Sequence, residues 1–181
     1  RSAAYRTGMH DAAMARLDLR SALPGAVERG EMRVVFQPLI GLEDGDLKGV
    51  EALVRWGHPE RGTVPPGEFI PLAEESGVIM KIGAFVLERS CRALRAWDAE
   101  LLGHPPLTIG VNASVRELED PDFPEFVAAT LENHGIAPSR LTVEVTETAL
   151  VRDDRAVVDA LERLERLGVR IAIDDFGTGY S

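Results

Sequence analysis

From residue 107 onward, short apolar runs alternate with amphipathic stretches, and this alternation limits the possible folds more than any other feature of the chain. Residues 107–111, 141–145 and 169–173 are brief apolar runs of the kind that fill buried strands. Between them lie two helical stretches, residues 123–134 and 153–167. The second carries Val157, Val158, Leu161, Leu164 and Leu167 with charges between, and the stretches stop at Gly135 and Gly168, the residue type that closes helices. Strands alternating with amphipathic helices predict parallel β/α units, closed as a barrel or laid open as a doubly wound sheet.

The first hundred residues lead into that pattern. Residues 9–29 place Ala12, Met14, Leu17, Leu19, Leu23 and Val27 among charges, predicting a lead-in helix pair broken at Pro24. Strands are expected over 32–39 and 47–56, with Glu43, Asp44, Gly45 and Asp46 turning the chain back between them. A Gly/Pro-rich loop over 57–66 and helices over 67–76 and 78–100 form the first long crossover. The count reaches at most five strands, and 181 residues fall short of the roughly 250 that an eight-unit barrel uses.

Composition narrows the function. Acids outnumber bases 30 to 20, for a formal charge of −10, which argues against binding a nucleic-acid polymer through its backbone. An acidic pocket still binds phosphate when a divalent cation reverses the local sign. No apolar run approaches the roughly 18 residues of a membrane span, and residues 1–20 lack the apolar segment of a signal peptide. The only cysteine, Cys91, fits a reducing compartment, so a cytoplasmic location is expected. The chain starts at Arg1 without Met, which reads as a piece of something longer.

The expected strands carry oxygen donors at or near their ends: Glu51 within 47–56, Asn112 after 107–111, Glu144 within 141–145, and Asp174 with Asp175 after 169–173. In parallel β/α folds such ends converge on one mouth. Taken singly, each residue has a plainer reading: a solvated Glu, a turn-capping Asn, a helix-capping Asp. Four independent strand ends bearing hard donors together point to one shared site. Carboxylates and an amide oxygen suit magnesium or manganese, and adjacent Asp174 and Asp175 suit two ions. Two ions suit phosphoryl chemistry, neutralising the phosphate, activating water and stabilising the leaving oxygen. No motif for a serine or cysteine nucleophile is present.

The same residues carry a family resemblance. Glu51-Ala52-Leu53-Val54-Arg55-Trp56 resembles the signature that names the EAL family, and Phe36-Gln37-Pro38-Leu39 precedes it. His58-Pro59 with Gly62, Pro66 to Leu72, Val111-Asn112-Ala113-Ser114, Glu144-Val145-Thr146-Glu147-Thr148 and Asp174-Asp175-Phe176-Gly177-Thr178-Gly179-Tyr180-Ser181 follow in family order. The resemblance covers residues 30–181. It implies an α/β fold, a modified TIM (β/α)8 barrel of which about the first five strands are present, that hydrolyses cyclic diguanylate to the linear dinucleotide with magnesium or manganese. By that resemblance Glu51, Asn112, Glu144 and Asp174 hold the first ion, and Asp175 with the shared Asp174 holds the second, so that Glu51, Asp174 and Asp175 serve catalysis through metal. Gln37, Leu53 and Arg55 match substrate-binding positions, and Glu147 belongs to a site motif. The loop from Asp174 to Ser181 resembles one that links metal occupancy to homodimer formation.

The family's catalytic-base Lys, a later acidic residue and a further Gln lie on strands after this loop, so the 181-residue chain by itself is expected to be inactive. Residues 1–29 resemble the linker that joins a cyclase-like GGDEF domain, or a sensory domain, to an EAL domain. A second reading is a module that holds cyclic diguanylate or a protein without cleavage. A third, an unrelated β/α metalloenzyme acting on another phosphate ester, shares the fold pattern but not the string of motifs.

Overall fold

The computed structural model describes residues 14–102, 105–151 and 154–174. Six strands form one sheet: β1 (Met32–Ile40), β2 (Leu47–His58), β3 (Gly62–Val64), β4 (Thr108–Asn112), β5 (Leu141–Thr146) and β6 (Arg170–Asp174). Helices are α1 (residues 14–22), α2 (Pro66–Ser76), α3 (Ile79–Glu100), α4 (Val115–Leu118), α5 (Phe123–His134), α6 (Glu147–Val151) and α7 (Arg155–Leu167). The order is β1-β2-β4-β5-β6, with β3 beside the end of β2. β1 and β2 are antiparallel, and β2, β4, β5 and β6 run parallel. The five expected strands and the two β/α units that follow β4 are therefore present.

Period-2 alternation gives the sheet two different faces. Phe36, Ala52, Val111, Val143 and Ile171 fall in register across five strands. With Trp56, Val50, Ile109, Leu141 and Val145 they pack on the core that Phe69, Leu72, Ile82, Leu87, Leu94, Leu131 and Leu164 supply from the helices. Helices α5 and α7 end on Gly135 and Gly168, at φ 63° and 93°, and each glycine N–H returns to the last turn of its helix. That left-handed closure turns the chain back toward the next strand. Arg140 forks onto both carboxylate oxygens of Asp98, at 2.7 and 2.8 Å, and caps the Leu107 carbonyl at 2.8 Å, which fixes the end of α3 against the start of β4.

Two local expectations change. The lead-in helix continues only to residue 22, and residues 24–30 are turns, with Gly25 at φ 82°. Pro24 has no N–H to extend a helix and restricts the residue before it. Residues 9–13 of that expectation lie outside the described residues. The loop expected over 57–66 contains β3, whose three residues pair with Trp56, Gly57 and His58. The lead-in also packs as part of the core: Leu19, Leu23 and Ala26 are buried, and the ion pairs Arg16–Glu75 (2.6 Å) and Lys81–Glu28 (2.8 Å) join it to α2 and α3. Among the described residues no helix is long and apolar enough to cross a membrane.

Helix α4 carries a buried charge. Glu117 forms a capping box with Ser114, whose N–H and hydroxyl both donate to Oε2 at 2.9 and 2.7 Å, and Gly83 leaves the space that Oε1 fills. Burial pushes its pKa up to about 7, against the lowering effect of those hydrogen bonds, and the charge of Glu74 adds to the rise. A carboxyl raised from 4.5 to about 7 leaves stability whole below pH 4.5 and erodes it as pH rises through 7, by about 3 kcal/mol at pH 8. Glu117→Gln is expected to match the parent near pH 4.5 and exceed it at pH 8. Urea unfolding of both proteins at the two pH values measures this, and a difference independent of pH contradicts it.

Candidate metal and substrate site

The face opposite the helices is polar toward the carboxyl ends of the parallel strands. Register places Gln37 beside Glu51 and Glu51 beside Gly110; one step further toward those ends, Asn112 lies beside Glu144, and further still Thr146 lies beside Asp174. Leu53 and Arg55, two and four residues after Glu51 on β2, share its face by alternation. Glu51, Leu53, Arg55 and Glu144 are half-buried, and Gln37, Asn112 and Asp174 are exposed. All seven described candidates from the sequence thus lie on one face. Asp175 and the loop to Ser181, with the second-ion and homodimer expectations that rest on them, lie outside the described residues. Glu147 opens α6, at the end of β5.

Acidic groups from neighbouring strands meet here. Asn112 Nδ2 donates to Glu51 Oε1 at 2.8 Å. The pKa of Glu144 is pushed up to about 7, first by burial, then by the negative charges of Glu51 and Asp174 and by a hydrogen bond with Glu51. Among the described residues no three His, Cys, Asp or Glu groups close into a metal cage by themselves. The donor chemistry nonetheless fits a hard divalent cation: the negative charges of Glu51 and Asp174 beside Glu144 call for positive charge, and the far end of the Asn112 amide offers an oxygen. A site of Glu51, Glu144 and Asp174 with one amide oxygen suits magnesium or manganese better than zinc, which draws nitrogen and sulfur.

One contributor, Gly110, was not singled out from sequence. β2 and β5 flank β4, so their backbones stand about 10 Å apart, and Glu51 and Glu144 interact across the position where β4 has no side chain. A Cβ on Gly110 would overlap Glu144 Oε1. A lone glycine inside a strand signals such an approach, but which groups approach depends on register. In Gly110→Ala the obstructed atom is the tip of a flexible side chain, so Glu144 swings away while the sheet persists. The expected result is a roughly 10- to 100-fold weaker manganese affinity by calorimetry, the range seen when a supporting position is lost, with the melting temperature in chelator nearly unchanged.

The model of the EAL domain family matches residues 20–181. Over 177 residues the chain is 45% identical to a protein of Caulobacter vibrioides described as an uncharacterized signaling protein, covering 98% of this chain and 21% of that one. It is 41% identical over 178 residues to the bifunctional diguanylate cyclase/cyclic di-GMP phosphodiesterase MucR of Pseudomonas aeruginosa, covering 98% of this chain and 26% of MucR. The chain therefore spans about a quarter or less of the length of these relatives. A solved structure described as the PaMucR phosphodiesterase in complex with c-di-GMP superposes with a TM-score of 0.83 at 42% identity, over 91% of this chain and 66% of that one. The fold is the α/β architecture of that group, a modified TIM barrel represented in part.

Proposed function

Because the chain belongs to the EAL domain family, we propose that it supplies the metal-binding and substrate-binding part of a phosphodiesterase that opens cyclic di-GMP to the linear dinucleotide. The observation that carries this reading is the meeting of Glu51, Asn112, Glu144 and Asp174 from four adjacent parallel strands on one face, beside Gln37, Leu53 and Arg55. The likeness to a structure described as a c-di-GMP complex supports the choice of substrate.

In this reading Glu51, Asn112, Glu144 and Asp174 hold one magnesium or manganese ion, and Asp174 with Asp175 holds a second. When bound, such ions neutralise the phosphate, activate water and stabilise the departing oxygen. The chain's own residues do the rest. The guanidinium of Arg55 forks onto a phosphate oxygen, a bidentate contact that fixes orientation as well as charge. Leu53 presents an apolar surface between that fork and the acids, and Gln37, in register with Glu51, holds the ligand from the β1 side. The acids repel an anion that arrives without its cations, so metal and substrate bind together.

The name of MucR joins a cyclase and a phosphodiesterase in one chain. The corresponding arrangement here is a GGDEF or sensory domain preceding residues 1–29, with residues 30–181 in the EAL domain, a homodimer formed through the loop after Asp175, and a cytoplasmic site of action.

The test is to incubate cyclic di-GMP with the intact protein, carrying the strands that the family places after Ser181, in magnesium, manganese or calcium. Linear dinucleotide formed in magnesium or manganese supports the reading. Tight binding without cleavage in all three replaces it with a binding module, and neither binding nor cleavage defeats both.

A further inference from the structure

One charged residue on the site face plays no part in the reading above. Arg33 on β1 stands directly opposite Arg55 on β2 in the antiparallel register. Alternation is unambiguous there: Met32 is buried and Val34 and Phe36 pack on the core, whereas Arg33, Val35 and Gln37 are exposed on the other face. Arg55 donates to the Val54 carbonyl at 2.9 Å, and among the described residues neither arginine has an ion-pair partner. Like charges directly opposed across two strands destabilise the pair. A fold does not gain stability from this arrangement, and a locally unfavourable feature at a site points to use.

The site is layered along β2. Glu51 belongs to the acid layer, Leu53 with its partner Val35 forms an apolar layer, and Arg55 with Arg33 forms a cationic layer. At about 3.4 Å per residue, the arginines stand roughly 14 Å beyond Glu51 along β2. A cyclic dinucleotide carries its phosphates in the central ring and its bases on the flanks, so a ligand with one phosphate at the acids extends a base over the apolar layer toward the arginines. Arg33 is the outer of the two, one strand further than Arg55 from the acids on β4, β5 and β6. With Arg55 assigned to a phosphate, Arg33 is left for the base.

Resting on the reading of the site as one for cyclic di-GMP, we propose that Arg33 is a specificity-determining residue that donates both arms of its fork to O6 and N7 of one guanine. Those two atoms are adjacent acceptors on guanine. Adenine offers N7 beside an N6 donor, which opposes an arginine.

Binding of cyclic di-GMP and of cyclic di-AMP to the intact protein, by calorimetry in calcium to hold off hydrolysis, tests this. Arg33→Ala is expected to weaken cyclic di-GMP roughly 10- to 100-fold, the span of one good bidentate contact, and to leave cyclic di-AMP within about twofold. Arg33→Lys, a point charge without the fork, recovers only part of the loss. Arg55→Ala, the phosphate fork, weakens both nucleotides alike. The proposal is overturned if Arg33→Ala binds cyclic di-GMP as the parent does, or if it loses both nucleotides equally. A parent protein that binds manganese but no cyclic di-GMP defeats the reading of the site as well, and so separates that failure from a failure of Arg33 alone.

Discussion

Glu51→Gln in the intact protein is expected to lower metal-dependent cleavage of cyclic di-GMP by more than ~100-fold, because loss of a group that merely supports a ligand already costs 10- to 100-fold. Glutamine keeps the size of the side chain, and Glu51 is only half-buried in its strand, so the fold is retained. What goes is one negative charge; the glutamine amide oxygen still accepts from Asn112 Nδ2, as Glu51 Oε1 does at 2.8 Å. Charge, more than shape, holds a hard divalent ion among oxygen donors. The checks are product formation in manganese and direct manganese titration, with the unfolding midpoint in chelator as the control. Retained cleavage would remove Glu51 from the site. Lost cleavage with unchanged manganese affinity would reassign it to holding the substrate.

Trp56→Ala is expected to cause the largest loss of stability, about 3–5 kcal/mol, a large share of the 5–15 kcal/mol typical of a whole domain. Trp56 is fully buried, makes edge contacts with Phe69 and His58 at ring separations of 5.8 and 5.3 Å, and donates its indole N–H to Glu31 Oε2 at 3.1 Å. It stands in register with Met32 and Val64, so a single side chain closes the end of β2 against strands on two sides. Removing it leaves a cavity and an acceptor without its donor, and the adjacent Arg55 loses its support. A fall in melting temperature of roughly 10 °C or more is expected by calorimetry. Trp56→Phe, which keeps the ring but not the indole N–H, is expected to lose less than half as much.

The sequence reading succeeds where a pattern is written in a single segment. Strands β4, β5 and β6 and helices α5 and α7 are each declared by their own apolar spacing, because a buried strand and a one-faced helix need different periods. The site residues on these strands follow once their ends are placed. Short elements escape: β3 is Gly-Thr-Val inside a Gly/Pro-rich stretch, and its strand character comes from Trp56, Gly57 and His58 across the ladder. Helix α4 did carry a local mark, the Ser114 to Glu117 capping box, but a four-residue helix has no period to reinforce it. The contributions of Gly110 and Arg33 are illegible for a different reason. Each is defined by what stands on the next strand, Glu51 and Glu144 for one and Arg55 for the other, and register is a property of paired segments.

The hydrogen bond between Asn112 and Glu51 joins residues 61 apart in sequence. Closing a chain segment of that length costs on the order of 4 kcal/mol in entropy, whereas one such bond returns about 1 kcal/mol, or somewhat more with a charged partner. The donors therefore cannot recruit one another from an unfolded chain; they meet only after β2, β4 and β5 have zipped together. In kinetic terms the acid cluster is a late arrival, and a signal from it during refolding reports completion of the sheet and not its nucleation.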